Sequence, residues 1–181
     1  MDENVSVTIS VDSANKLYEF AKNYCNVNKA YCSQIHCKLA NSVVIATMLD
    51  GYKIAQIGLP AEDAESMEAE FLIAPPVKKF TKKDVFVQIK AEKSQTTYNT
   101  ALGSTILSKK DDTFPDINRI MTKSEDTVFK IGFMPENLSK ALVPFIEKSV
   151  STKVVMEFTG PKSGVWISGN GAKAMVLPVL L

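Results

Sequence analysis

Three cysteines and the only histidine crowd one short stretch, CNVNKAYCSQIHC, as Cys25, Cys32, His36 and Cys37. Thiolates and imidazoles are zinc ligands, so their spacing is the first chemistry to test. Cys32 and His36 share parity on a strand, but four residues of strand separate them by about 13 Å at roughly 3.3 Å per residue. Cys37 points to the opposite face, and the spacing follows no common zinc pattern. No metal is expected. Other chemistry is equally thin. There is no nucleophile–base pair and no phosphate-cradling loop, and GPKSGVWISGNG is glycine-rich without following a P-loop or dinucleotide pattern. With a single histidine, acid–base work would fall to carboxylates, and none pair at a telling spacing. The sequence therefore predicts no enzyme, no catalytic residue and no cofactor.

Binding chemistry is the alternative. Of 21 basic residues, 20 are lysine and only Arg119 is arginine. Arginine forks bidentately and stacks on flat groups where lysine cannot, which marks Arg119 as a candidate polar fork, although a solvated connector charge fits the same position. The densest charge cluster is KKFTKK, yet the net charge is only +1, so composition makes no case for an acidic or basic partner. The last eight residues, Ala174 to Leu181, carry no charge and contain Pro178. Chain ends usually fray and are usually polar, so this apolar tail needs a use.

The elements that must position these groups repeat three times. VSVTISV (5–11) alternates as a strand, Asp12 or Ser13 can cap a helix, and Leu17, Phe20, Ala21 and Tyr24 form one apolar helical stripe. Strands YCSQIHCKL, SVVIATM and YKIAQIGL follow, with turns at Ala40-Asn41 and Asp50-Gly51. A second pass runs AEFLIAP (69–75), then PVKKFTKK, where Pro76 suits a first helical turn, then DVFVQIKAEK, QTTYNTAL and STILSKK. The third opens with TVFKIGF (127–133). Its helix is MPENLSKALVPFIEKSV, in which Pro144 should kink or shorten the pattern. TKVVMEFTG, GVWISG and KAMVLPVLL are its strands, with turns at Gly160-Pro161 and Asn170-Gly171. Between passes two and three, KKDDTFPDINRIMTKSED is polar and irregular, a connector. The fold class is α+β: three strand–helix–strand–strand–strand units with mainly antiparallel sheets, unless the pattern is a plainer α+β meander. The 45% hydrophobic content fits a packed core. No signal peptide and no stretch approaching the roughly 20 apolar residues of a membrane span is evident. An odd number of cysteines points to reduced thiols in a cytoplasmic setting.

Four of these segments, in this order, resemble the bacterial sliding clamp, the beta subunit of DNA polymerase III. They are ATMLDGYKIA, FPDINRI, IGFMPENLSKAL and the Leu-Pro-containing end. The chain departs from the family pattern in the inserted Met48 and Leu49, in Tyr52 and Lys53 replacing a histidine and an arginine, and in lacking a penultimate arginine. The resemblance implies a DNA-clamp-like fold. Residues 1–123 are similar to the clamp's middle domain, and 124–181 to the second half of its last domain.

By that resemblance the protein is a non-catalytic replication or repair accessory that tethers DNA enzymes through a peptide-binding pocket. The pocket would take Thr47, Gly51, Tyr52, Lys53 and Ile54 from the hairpin, Pro115, Arg119 and Ile120 from the connector, and Met175, Leu177, Pro178 and Val179 from the tail. Its partners would be the clamp-binding peptide motifs of polymerases or repair proteins. The family also encircles double-stranded DNA without reading sequence, through lysines on its helices. Here these would be Lys16 and Lys22 on the first helix, Lys78, Lys79, Lys82 and Lys83 on the second, and Lys140 and Lys148 on the third. A solvated helix face is the plainer reading of the same lysines. Two units make a domain in the family and twelve make a ring, so three leave one unpaired. Self-association would resolve this, four copies closing a ring and two making a crescent. Otherwise the third unit packs on its own chain, and the protein is a stand-alone peptide-binding module or decoy that never encircles DNA.

Overall fold

The computed structural model describes residues 2, 4–25, 32–62, 64, 67–110, 114–116, 129–146, 153–169 and 171–179. The chain divides into two compact units, Met1–Ile117 and Asn118–Leu181.

The first unit contains the first two passes. Strand β1 (Val5–Ser10) runs directly into helix α1 (Val11–Tyr24). The cap is Ser10 rather than the expected Asp12 or Ser13. Its hydroxyl accepts from the Ser13 amide at 3.2 Å, so the strand's last residue satisfies the helix's first turn. Strands β2 (Ile35–Ala40), β3 (Val43–Leu49) and β4 (Ile54–Glu62) complete the first pass. The second supplies β5 (Ala69–Ile73), β6 (Phe86–Ala91), β7 (Gln95–Thr100) and β8 (Gly103–Ser108).

All eight strands form one antiparallel sheet in the order β5-β2-β3-β4-β1-β6-β7-β8. The order shows an exchange. Each pass gives its first strand to the other: β5 lies along β2, and β1 lies along β6, from Val5 opposite Ala91 to Ser10 opposite Phe86. Among the described residues, β1 meets the last strand of its own pass at Thr8–Glu62 and Ile9–Ala61. The exchanged strands bury Val5, Val7, Ile9, Phe71 and Ile73 against Leu17, Val44, Ala46 and Ile89. Burying five such side chains contributes on the order of 10 kcal/mol. That is as large as the net stability of a typical domain, so neither pass is built to stand alone.

The second pass lacks the expected helix. No residue from 74 to 85 is helical, and the segment ends in a turn where the Asp84 amide donates to Thr81 O at 3.0 Å. Two consecutive prolines, Pro75 and Pro76, open it. Asn15 of α1 then occupies the backbone groups that a helix would use. Its amide donates to Phe80 O at 3.1 Å, and its carbonyl accepts from Phe80 N at 2.8 Å. Phe80 is held against Tyr98, with ring centroids 5.7 Å apart. Lys78, Lys79, Lys82 and Lys83 therefore lie on an exposed loop and not on a helix.

The second unit contains β9 (Val155–Glu157), β10 (Val165–Gly169) and β11 (Ala172–Val176) in the order β11-β10-β9. Helix α2 (Pro135–Leu142) starts on a proline and passes into a 3-10 turn, Val143–Phe145. Pro144 has no amide proton to continue the α-helix, so it shortens the pattern as the sequence implies. Phe145, Val165, Ile167 and Val176 form the core, with Ile131, Phe133 and Leu138 packed on it. Of the expected first strand, the described part forms a single bridge, Gly132 to Val179.

Asn15→Ala is expected to destabilise the first unit by about 1–2 kcal/mol, because it strands two backbone groups of Phe80. Urea unfolding measures this. An unchanged midpoint would show that Asn15 does not hold the 74–85 loop.

Candidate functional site

The Asp50-Gly51 hairpin forms as its sequence requires. Gly51 has φ +95°, which a side chain would oppose. The Asp50 carboxylate accepts from the amides of Tyr52 at 2.9 Å and Lys53 at 3.0 Å, and these bonds hold it below the usual carboxylate range. Lys53 turns back toward α1. Its ammonium donates to Asn23 O at 2.8 Å and lies 5.0 Å from the centre of the Tyr24 ring. Thr47 is buried, and its hydroxyl accepts from Gln56 Nε2 at 2.9 Å. Of the hairpin residues expected in a pocket, Gly51, Tyr52 and Lys53 are exposed, Tyr52 to 92%.

The start of the connector packs beside this hairpin within the same unit. Past β8, Lys109 donates to Leu72 O at 3.2 Å, and Lys110 O accepts from Gln34 at 2.6 Å. Phe114 is then buried with Cys32 and Leu49, against Ile54 and Leu72. It stacks on His36, centroids 5.4 Å apart, and His36 Nε2 lies 2.7 Å from Glu70 Oε1. Pro115 follows, half-buried. Ile54 and the connector's phenylalanine thus share one apolar cluster on the sheet face opposite the main core. Arg119 and Ile120 lie outside the described residues.

The cysteine–histidine cluster is divided by the sheet. Cys37 belongs to the main core, while His36 faces Glu70 and Phe114. Burial pushes the Cys25 thiol up to about 12, and the Cys37 thiol higher still. Among the described residues no three metal-ligating side chains converge.

The tail builds its surface in the second unit. Alternation along β11 sends Val176 into the core and leaves Met175 and Leu177 about half and two-thirds exposed. In register, Met175 lies opposite Trp166, which is equally exposed. Gly164, on the same face, keeps the floor low: a Cβ there would sit 2.9 Å from Met175 Sδ and 3.4 Å from Leu177 Cδ2. Beyond Pro178, the Val179 amide donates to Gly132 O at 2.8 Å, so the tail is pinned through residue 179. Leu180 and Leu181 lie outside the described residues. Next to the ridge is a shallow cleft of about 570 Å³, lined by Glu157, Trp166, Ile167, Ser168 and Lys173. Trp166 was not among the residues expected at this site. The signal was present in GVWISG, whose alternation puts a large aromatic on the face opposite Val165 and Ile167.

Lys16 and Lys22 are exposed on α1. Two other candidate lysines are engaged: Lys79 pairs with Glu19 of α1 at 2.5 Å, and Lys140 with Glu136 of α2 at 2.7 Å. Their pairing raises the Lys79 ammonium and lowers the Glu19 carboxyl from their ordinary ranges. Lys148 lies outside the described residues.

The sequence matches no protein-family model and no curated protein. Solved structures do match. The DNA polymerase beta subunit of Streptococcus pyogenes superposes with a TM-score of 0.73 at 16% identity, over 99% of this chain and 52% of that one. The DNA polymerase sliding clamp of Bacillus subtilis gives 0.72 at 14%, over 98% and 50%. The Helicobacter pylori beta clamp bound to a DNA ligase peptide gives 0.65 at 12%, over 96% and 52%. The fold is that of the DNA polymerase III beta sliding clamps, α+β and clamp-like. The chain spans about half the length of these structures.

Phe114→Ala is expected to cost about 3 kcal/mol, the usual penalty for emptying a buried aromatic site. It should also raise protease sensitivity around the connector. A loss below about 1 kcal/mol in urea unfolding would show that the connector is not anchored there.

Proposed function

We propose that this chain is a non-catalytic, clamp-like accessory of DNA replication or repair that holds DNA enzymes by a short extended peptide laid on the tail surface. The observation that carries the reading is the exposed ridge Trp166–Met175–Leu177 over Gly164, on a segment held by the Val179–Gly132 bond. A few large anchors on an apolar floor dominate peptide binding of this kind. Glu157 and Lys173 supply both signs of charge beside it for orientation. Pro178 lies past Val165–Val176, the last pair of the β10–β11 ladder, so the amide it lacks has no ladder partner there. The clamp-like fold, and a neighbour of that fold bound to a ligase peptide, support the same partner class.

Sequence-independent contact with double-stranded DNA through Lys16, Lys22 and the 78–83 loop, and self-association, belong to the same proposal. The odd number of cysteines, three, accords with reduced thiols in a cytoplasmic setting. Among the described residues no helix is long and apolar enough to cross a membrane. One observation favours the second reading, a peptide-binding module that does not encircle DNA. The ion pairs of Lys79 and Lys140 offset two of the charges that phosphate binding would use.

A clamp-binding peptide from a polymerase or ligase should bind, and Leu177→Ala or Trp166→Ala should weaken it by about 30-fold or more, the scale of an interface anchor. Calorimetry measures this, and unchanged affinity in both variants would end the proposal. Retention on circular DNA above about 0.5 M salt would mark a threaded ring, whereas lysine–phosphate binding alone washes off.

A further inference from the structure

We infer that a second copy of this chain completes the second unit by strand exchange, segment 129–133 of each copy adding to the outer edge of β9 in the other. The inference rests on the self-association proposed above and specifies its surface.

The first unit shows how such a pass is completed. Its two sets of three strands begin with β2 and β6, and each carries along that edge the first strand of the other pass. In the second unit the corresponding edge belongs to β9, and among the described residues no strand lies along its outer side. The first strand is in a matching state. Among the described residues, β1 pairs with the last strand of its own pass at two positions, and segment 129–133 pairs with its own last strand by one bridge, at Val179. Among the described residues no strand pairs with its other edge, as β1's would be unpaired without β6.

Exposure agrees with this. Val5, Val7 and Ile9 of β1 are 0–5% exposed, and Phe71 and Ile73 of β5 about 1%. In segment 129–133, Ile131 and Phe133 pack on the core, but Phe129, of the same parity, is 38% exposed. Helix α1 buries Ala14, Leu17 and Ala21, whereas α2 buries no residue fully. Just beyond α2, Val143 and Ile146 are 60% and 70% exposed. An open strand edge beside exposed hydrocarbon is what a stable protein covers.

A second copy fits because each copy carries both halves of the contact, one donor strand and one acceptor edge. A two-fold arrangement satisfies both at once. The combined order would be 129–133 of the partner, β9, β10, β11, 129–133, then β9, β10 and β11 of the partner. It reproduces the eight-stranded order of the first unit.

The test uses the full chain in sedimentation across concentration. Phe129→Asp is compared with Ile106→Lys, which alters another terminal strand, β8, where Ile106 is 62% exposed. Wild type is expected to dimerise, Phe129→Asp to weaken the dimer by about 30-fold or more, and Ile106→Lys to leave it unchanged. Hydrogen exchange on the wild type gives a readout independent of either variant. Amides of 129–133 and 155–157 should gain protection together as concentration rises. A chain that stays monomeric throughout overturns both the inference and the self-association beneath it. Self-association that Ile106→Lys abolishes and Phe129→Asp does not, or protection confined to β8, overturns the β9 interface and leaves self-association standing.

Discussion

A strand–helix–strand–strand–strand pass cannot close on itself. Its three consecutive strands pair with one another, but the first of them keeps an open edge, and the leading strand is left to pair elsewhere. The first unit resolves both deficits by exchanging leading strands between passes. Val5, Val7, Ile9, Phe71 and Ile73 enter the core by that route, and the same exchange fixes where the hairpin and the connector fall. Because β5 caps β2, Leu72 and Glu70 lie beside His36. That places the landing surface for Phe114 next to Leu49 and Ile54.

The apolar chain end follows from the same geometry. A final strand in a sheet of three has one face against the helix and one face outward. Alternation assigns Val176 to the first, and Met175 and Leu177 to the second. Val179 then bonds to Gly132, so the hydrocarbon from Ala174 to Val179 is held as a surface. Trp166 and Gly164 turn that surface into a ridge with a low floor, in which the side chains of an extended partner can be desolvated. The charges stay at the margin, with Lys173 and Glu157 around the neighbouring cleft.

Much of this was legible in the residues. Period-two alternation located the strands, because one face of each is buried. Asp50-Gly51 marked its hairpin, because the aspartate carboxylate and a positive-φ glycine together make the turn. The helix expected at PVKKFTKK was misread for a tertiary reason: the backbone of Phe80 is bonded by Asn15, 65 residues earlier, and no local pattern reports that. The cap at Ser10 was missed because strand and helix abut without a loop. Thr47 and Lys53 were chosen by resemblance, and their hydrogen bonds to Gln56 and Asn23 arise only when the sheet is assembled. Trp166 was readable from parity, but only once it is known which face of β10 looks outward.

The central claim is that the ridge of Trp166, Met175 and Leu177 receives an extended peptide. Trp166 is the only tryptophan, so its indole N–H gives a single reporter at the centre of the surface. Titration of a clamp-binding peptide, followed by the NMR resonance of that N–H, should give a saturable shift, together with shifts of the Met175 methyl and the Leu177 amide. A peptide that saturates its binding while these three signals stay still would contradict the account.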